Sequence, residues 1–202
     1  MIDPIAKRAP LLLLLALLAA GCAGGSASAP RSAAELINPA LGLEYSGWMV
    51  GAAARLATPE EINEYLTLQD DQQAAAFVER FWQRRDPSPD TPDNPIRQTF
   101  DERAANADRA YSEAGLLGRR SDRGILRVLY GLPQKIDHEV SPVPNGPPIE
   151  VWIYGTQAPS GLDGKRPSPV YRFVKSGDRT VLYNGRGASG PFLPRLDGGP
   201  PQ

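Results

Sequence analysis

A chain of 202 residues with 22 basic and 23 acidic side chains carries a formal net charge of −1. That balance, with no long basic run, leaves no electrostatic footprint for nucleic acid. One cysteine rules out a disulfide framework, and a single histidine, His138, cannot build a His/Cys zinc site.

In chain order, the first feature is a targeting pattern. Lys7 and Arg8 precede an unbroken apolar run over residues 11–20, followed by LAAGC at 18–22. Ten helical residues reach about 15 Å, half of a ~30 Å hydrocarbon core, so the run is too short for a stable transmembrane helix. Ala19, Ala20 and Gly21 directly before Cys22 resemble the lipobox of bacterial lipoproteins. The resemblance implies cleavage before Cys22 and lipidation of its thiol, which would consume the sole cysteine. Ala23 rather than Asp after Cys22 implies sorting to the outer membrane of a Gram-negative cell, facing the periplasm. Loss of residues 1–21 removes Asp3, Lys7 and Arg8, leaving 20 basic and 22 acidic side chains, a net charge of −2. The expected organisation is a signal peptide over 1–21, a small-residue flexible tether over 22–44, one domain over 45–185, and a Gly/Pro-rich tail over 186–202.

Within the domain, TPEE at 58–61 predicts a helix start: Thr58 caps, Pro59 suits the first helical position, and Glu61 completes a capping box. Ile62, Tyr65 and Leu66 then share a face. Asp70 with Gln73 starts a second helix, whose stripe is Phe77, Val78, Phe81 and Trp82. Arg84 and Arg85 suit its last turn, and Asp86-Pro87 stops it. Asn94-Pro95 starts a third helix running to about Glu113, with a seam of Ile96, Phe100, Ala104, Ala107 and Tyr111. Arg97 with Asp101, and Arg109 with Glu113, form i,i+4 pairs on its other face. Four β-rich runs follow: ILRVLY (125–130), IEVWIY (149–154), PVYRFVK (169–175) and RTVLYN (179–184), with Gly177-Asp178 marking a hairpin between the last two. Residues 135–140 could pair weakly. The reading is an α+β domain: about three N-terminal helices packed on a small, mainly antiparallel sheet of three to five strands.

FWQRRDP (81–87), the helix positions Arg103, Ala107, Asp108 and Tyr111, GRRSDRG (118–124), YGLP (130–133) and EVWIY (150–154) occur in one order over about 59–184. Together they resemble the bacterial GWxTD domain family, with Arg119 standing where the family has its Trp and Ser121 where it has Thr. That resemblance implies an exported or lipid-anchored bacterial protein and supplies architecture without an established activity.

No motif commits the chain to a reaction. His138 has no GxSxG-type nucleophile partner, and DPSPDTPDN, with Asp86, Asp90 and Asp93, lacks the Gly and terminal Glu of an EF-hand loop. Asp86, Asp122 and Glu150 lie at element ends, where a hydrolase could gather a carboxylate pair. Each also has a structural explanation. Arg85, Asp86, Asp122 and Arg123 form a candidate charge cluster that would brace the helical half against the SDRG turn. Trp152 could lie on either face of its strand, and an exposed position there would suit sugar or peptide binding. The expectation is a lipid-anchored envelope protein without cofactor or metal, acting as a binding or assembly module on other envelope proteins. The alternative is an envelope glycan or peptidoglycan hydrolase using paired carboxylates.

Overall fold

The computed structural model describes residues 32–141 and 144–183; the leader pattern, Cys22 and the Gly/Pro-rich tail lie outside them. The described part is α+β. Helices α1 (Ala53–Leu56), α2 (Pro59–Thr67), α3 (Asp71–Gln83), α4 (Pro95–Tyr111) and α5 (Asp122–Tyr130) precede strands β1 (Lys135–Glu139), β2 (Ile149–Ile153), β3 (Val170–Ser176) and β4 (Arg179–Leu182).

The three expected helices start where their caps place them. Thr58 Oγ1 accepts the Glu61 N–H while Glu61 Oε2 accepts the Thr58 N–H, a complete capping box. Asp70 accepts from Gln73 N, and Asn94 Oδ1 accepts from the N–H groups of Ile96 and Arg97. Asn94 also donates through Nδ2 to Trp82 O at 2.8 Å, so one side chain closes α3 and opens α4. The stretch between the helices is therefore a joint. Phe77, Phe81, Trp82, Phe100, Ala104 and Ala107 are buried in one core. Trp48 enters it edge-on, with its ring centroid 4.9 Å from that of Phe81.

Residues 125–130 are not a strand. They form most of α5, which Ser121 caps by accepting the Gly124 N–H and Gly131 ends at φ 78°. Ile125, Leu126, Val128 and Leu129 satisfy helical spacing as well as a β-rich composition, and burial against α4 decides for helix. The weak pairing segment at 135–140 is instead the terminal strand β1.

The tether expected over 22–44 is also shorter than its composition implies. Leu36, Asn38 and Leu41 are buried. Asn38 Nδ2 donates to Tyr65 O and Leu68 O, at the C-terminal end of α2, while Tyr65 Oη reaches the carbonyls of Tyr45 and Ser46. Gly42 N donates to Asp71 Oδ1. Leu36, Leu41, Met49, Ala52, Ala53 and Ala54 thus pack into the helical core.

The sheet is an antiparallel meander in the order β1-β2-β3-β4. Trp152 and Phe173 face α5 and form a second core with Leu126, Tyr154 and Ala158. Trp152 is fully buried, so the exposed-aromatic reading of it fails. At the β4 edge, the N–H groups of Thr180 and Leu182 point away from β3. They are taken by Glu113 Oε1 at 2.8 Å and Asp122 Oδ2 at 2.6 Å.

Candidate functional site

The residues expected to share one charge cluster fall into separate networks, and the partners explain why. Arg85 crosses from the end of α3 to the start of α2. It forks onto both carboxylate oxygens of Glu61, 3.0 and 2.5 Å away, and donates to Leu56 O and Phe81 O. Its guanidinium lies 3.5 Å from the Phe81 ring centroid. Arg84 Nε adds a bond to Glu61 Oε1. Burial alone would push the Glu61 carboxyl up, but hydrogen bonds from Arg85, Thr58 N and Arg84 hold it below its ordinary value. Asp86 accepts the Ser88 N–H in the proline-rich turn.

Asp122 and Arg123 belong to α5 and look towards the sheet. Arg123 Nη1 meets Glu150 Oε2 at 3.1 Å and its Nη2 meets Glu113 Oε2 at 3.2 Å, with the guanidinium over the Tyr111 ring. Glu150 Oε1 accepts the Trp152 indole N–H at 2.6 Å. Glu113, expected to pair with Arg109, has turned instead to Arg123, Lys175 and the Thr180 amide. Arg109 bonds Asn106.

The remaining motif residues close the same framework. Arg103 donates to Val128 O and Leu129 O, at the C-terminal end of α5 where a cation is favoured. Asp108 takes both the backbone N–H and the guanidinium of Arg119, so the residue at the Trp position is fastened to α4. Tyr154 Oη donates to Gly131 O. An alanine Cβ built at Gly118 would lie 1.9 Å from Ala107 O, and one at Gly124 would lie 1.7 Å from Gly118 O. GRRSDRG is a knuckle where α4, a 3₁₀ turn (Gly118–Arg120) and α5 touch backbone to backbone.

One surface cavity of about 510 Å³ adjoins this framework, lined by Arg55, Thr58, Glu61, Arg84, Arg85 and Asp163 among others. Its lining offers guanidinium groups to an anionic ligand, with Arg84 the more exposed of the two that bind Glu61. Thr58 Oγ1 is engaged as a helix cap. Among the described residues, no group of three or more His, Cys, Asp or Glu side chains is placed to hold a metal ion. His138 lies exposed on β1, in register with Glu150.

A family model described as GWxTD domain matches residues 46–162, more than half of the chain. The chain belongs to the GWxTD domain family. The GWxTD match takes in α1 to α5, β1 and β2, and stops before the β3–β4 hairpin that completes the sheet. It also includes residues 46–58, N-terminal to the span carried by the sequence motifs. Comparisons with curated proteins and with solved structures gave no match. Among the described residues, no helix is long and apolar enough to cross a membrane.

Asp122 carries a pH signature. Burial raises its carboxyl from 3.8 to about 6, Glu113 adds to the rise, and the Leu182 amide and Arg55 oppose it. Because the folded pKa exceeds the unfolded one, the folded state binds the extra proton between about pH 6 and 3.8. This site therefore adds stability as pH falls through that window, by up to roughly 3 kcal/mol. Asp122→Asn, still able to accept the Leu182 N–H, is expected to raise stability at pH 7 by about 1–2 kcal/mol and to flatten the profile between pH 6 and 4. Urea unfolding at stepped pH reads both. An unchanged slope in the variant would refute the assignment.

Proposed function

We propose that this GWxTD protein is a lipid-anchored cell-envelope protein that serves as a non-catalytic binding or assembly module. The observation that carries the reading is the engagement of each carboxylate a hydrolase could have used. Asp86 holds a turn amide, Asp122 holds a strand amide, and Glu150 is fixed between a guanidinium and an indole. A retaining or inverting glycosidase needs two carboxyls facing a common substrate, one ready to give a proton. Asp122, raised to about 6 by burial, could hold that proton, but it lies mostly buried on the β4 amide, and Glu113 and Glu150 are bound by Arg123. Here the motif residues join α3 to α2, α4 to α5, and α5 to the sheet, which is the work of a scaffold. The leader pattern ending at Cys22 supports attachment through lipid, and Ala23 supports the outer membrane as the destination.

Two measurements test the proposal. Purified protein incubated with peptidoglycan sacculi should release no muropeptides; release that disappears in Glu150→Gln would overturn the non-catalytic reading. Cys22→Ser should leave the membrane fraction when cells are separated, and its retention there would count against the lipid anchor.

A further inference from the structure

We propose that the free edge of β1 pairs with the β1 edge of a second copy of this chain, giving a two-fold symmetric dimer centred on Ile136. The inference goes beyond the binding reading and stands whether or not the chain has a catalytic activity.

The two outer edges of the sheet are built differently. On β4 the outward amides of Thr180 and Leu182 are covered by Glu113 and Asp122. On β1 all five residues are exposed, and among the described residues no strand pairs with its outer side. The outward N–H of His138 is turned onto the side chain of its own neighbour, Asp137. An uncovered strand edge presents main-chain donors and acceptors to any strand that can match its register.

The side chains along this stretch specify the match. Leu132 is 66% exposed, Ile136 46% and Val140 93%, three of the seven large apolar residues that the described surface exposes most. Within β1, Ile136 lies opposite Trp152, and Val140 follows directly after the strand end; Leu132 precedes the strand, in the bend between Gly131 and Pro133. Lys135 and Asp137 flank the central residue on the other face, and they pair within the chain at 2.6 Å.

Two antiparallel copies of one strand related by a two-fold axis must place some residue opposite itself. With Ile136 at the centre, Ile136 meets Ile136 of the second copy and Lys135 meets Asp137, the latter pair occurring twice. Lys135 and Asp137 would exchange their intrachain partner for the same partner across the axis, and the outward N–H and C=O of Ile136 would pair with those of Ile136 in the other copy. Gln134 takes no part, because its N–H is held by Ile153 O within the sheet. Shifting the centre to Asp137 sets two carboxylates face to face, which disfavours it. The central isoleucine and the charge pair are therefore satisfied together in this register. A single strand pair is a small contact, so the dimer is weak and concentration dependent.

The test is disulfide trapping in the full-length chain, with wild type as the control for Cys22. In an antiparallel pair residue 136 faces itself at a Cα separation of about 5.5 Å, inside disulfide range. Residue 138 would lie four residues from its own copy, about 13 Å away, outside that range. Mild oxidation should give a homodimer from Ile136→Cys at least tenfold more readily than from His138→Cys. Asp137→Lys, which puts lysines opposite lysines, should abolish the dimer in sedimentation, and adding Lys135→Asp should restore it. Both substitutions are on exposed side chains, and unchanged melting temperatures would verify the fold. Four results would each overturn the proposal: equal trapping at 136 and 138, a single monomeric species up to about 1 mM, no effect of Asp137→Lys, or a different protein as the sole disulfide partner of the Ile136→Cys variant.

Discussion

Replacing Gly124 or Gly118 by alanine is expected to cost about 4 kcal/mol or more, enough to leave most of the purified chain unfolded. Each added Cβ would meet a backbone carbonyl oxygen, that of Gly118 at 1.7 Å or that of Ala107 at 1.9 Å. No side chain can rotate away to make room. Relief requires α4, the 3₁₀ turn and α5 to separate, and that separation would also break the bonds of Ser121 with Gly118 O and Gly124 N. Overpacking that neighbouring side chains can absorb costs only about 1–3 kcal/mol; contact with fixed backbone falls in the exceptional class, against a total stability of roughly 5–15 kcal/mol. Urea unfolding and soluble yield measure the effect. A loss below about 1 kcal/mol would mean that the knuckle is not the tight contact described above.

Glu61→Ala should be nearly as damaging, at about 3–5 kcal/mol, because it leaves Arg85 charged and mostly buried with no counter-charge beside it, only two carbonyl dipoles and the Phe81 ring face. It also removes half of the capping box of α2. Glu61→Gln keeps an acceptor for the Thr58 amide and should cost less. Combining Glu61→Leu with Arg85→Met should recover part of the loss, since removing both charges avoids stranding one of them. Failure of that double variant to recover anything would show that Glu61 acts mainly through the cap. The pH response has the opposite sign to that of Asp122. The folded-state pKa of Glu61 lies below 4.5, so its contribution is present above that value and is lost as pH falls through the folded pKa. The wild-type chain is therefore expected to gain stability as pH falls from about 6 towards 4.5 and to lose it in more acidic solution.

What could be read from the sequence alone follows the range of the interactions. The caps at Thr58, Asp70 and Asn94 act over two or three residues, and each starts a helix where its sequence places it. The α+β class follows from the β-rich runs at 149–154, 169–175 and 179–184 that come after the helical half. The segment Ile125–Tyr130 defeated that approach because its β-branched and aromatic content hides a helical spacing. Its helical state depends on the Ser121 cap and on a glycine contact with α4 that no local pattern displays. The charge cluster failed for a related reason. Arg85, Asp86, Asp122 and Arg123 were grouped by motif, whereas the acids that bind the two arginines, Glu61, Glu113 and Glu150, are between 10 and 27 residues away in sequence. The burial of Leu36, Asn38 and Leu41 was hidden by small and polar composition around them, and Asn38 holds the segment by reaching carbonyls 27 and 30 residues away.

The carboxylates over β4 have a consequence for how many copies can join. A sheet with two open margins can recruit strands at both and grow without limit, as fibrils do. Here Glu113 and Asp122 occupy one margin, so among the described residues the β1 side is left to accept a neighbour, and in the proposed pair the neighbour's own β1 is consumed in the act. Growth ends at a pair, with a closed stoichiometry set by two hydrogen bonds on the far side of the domain.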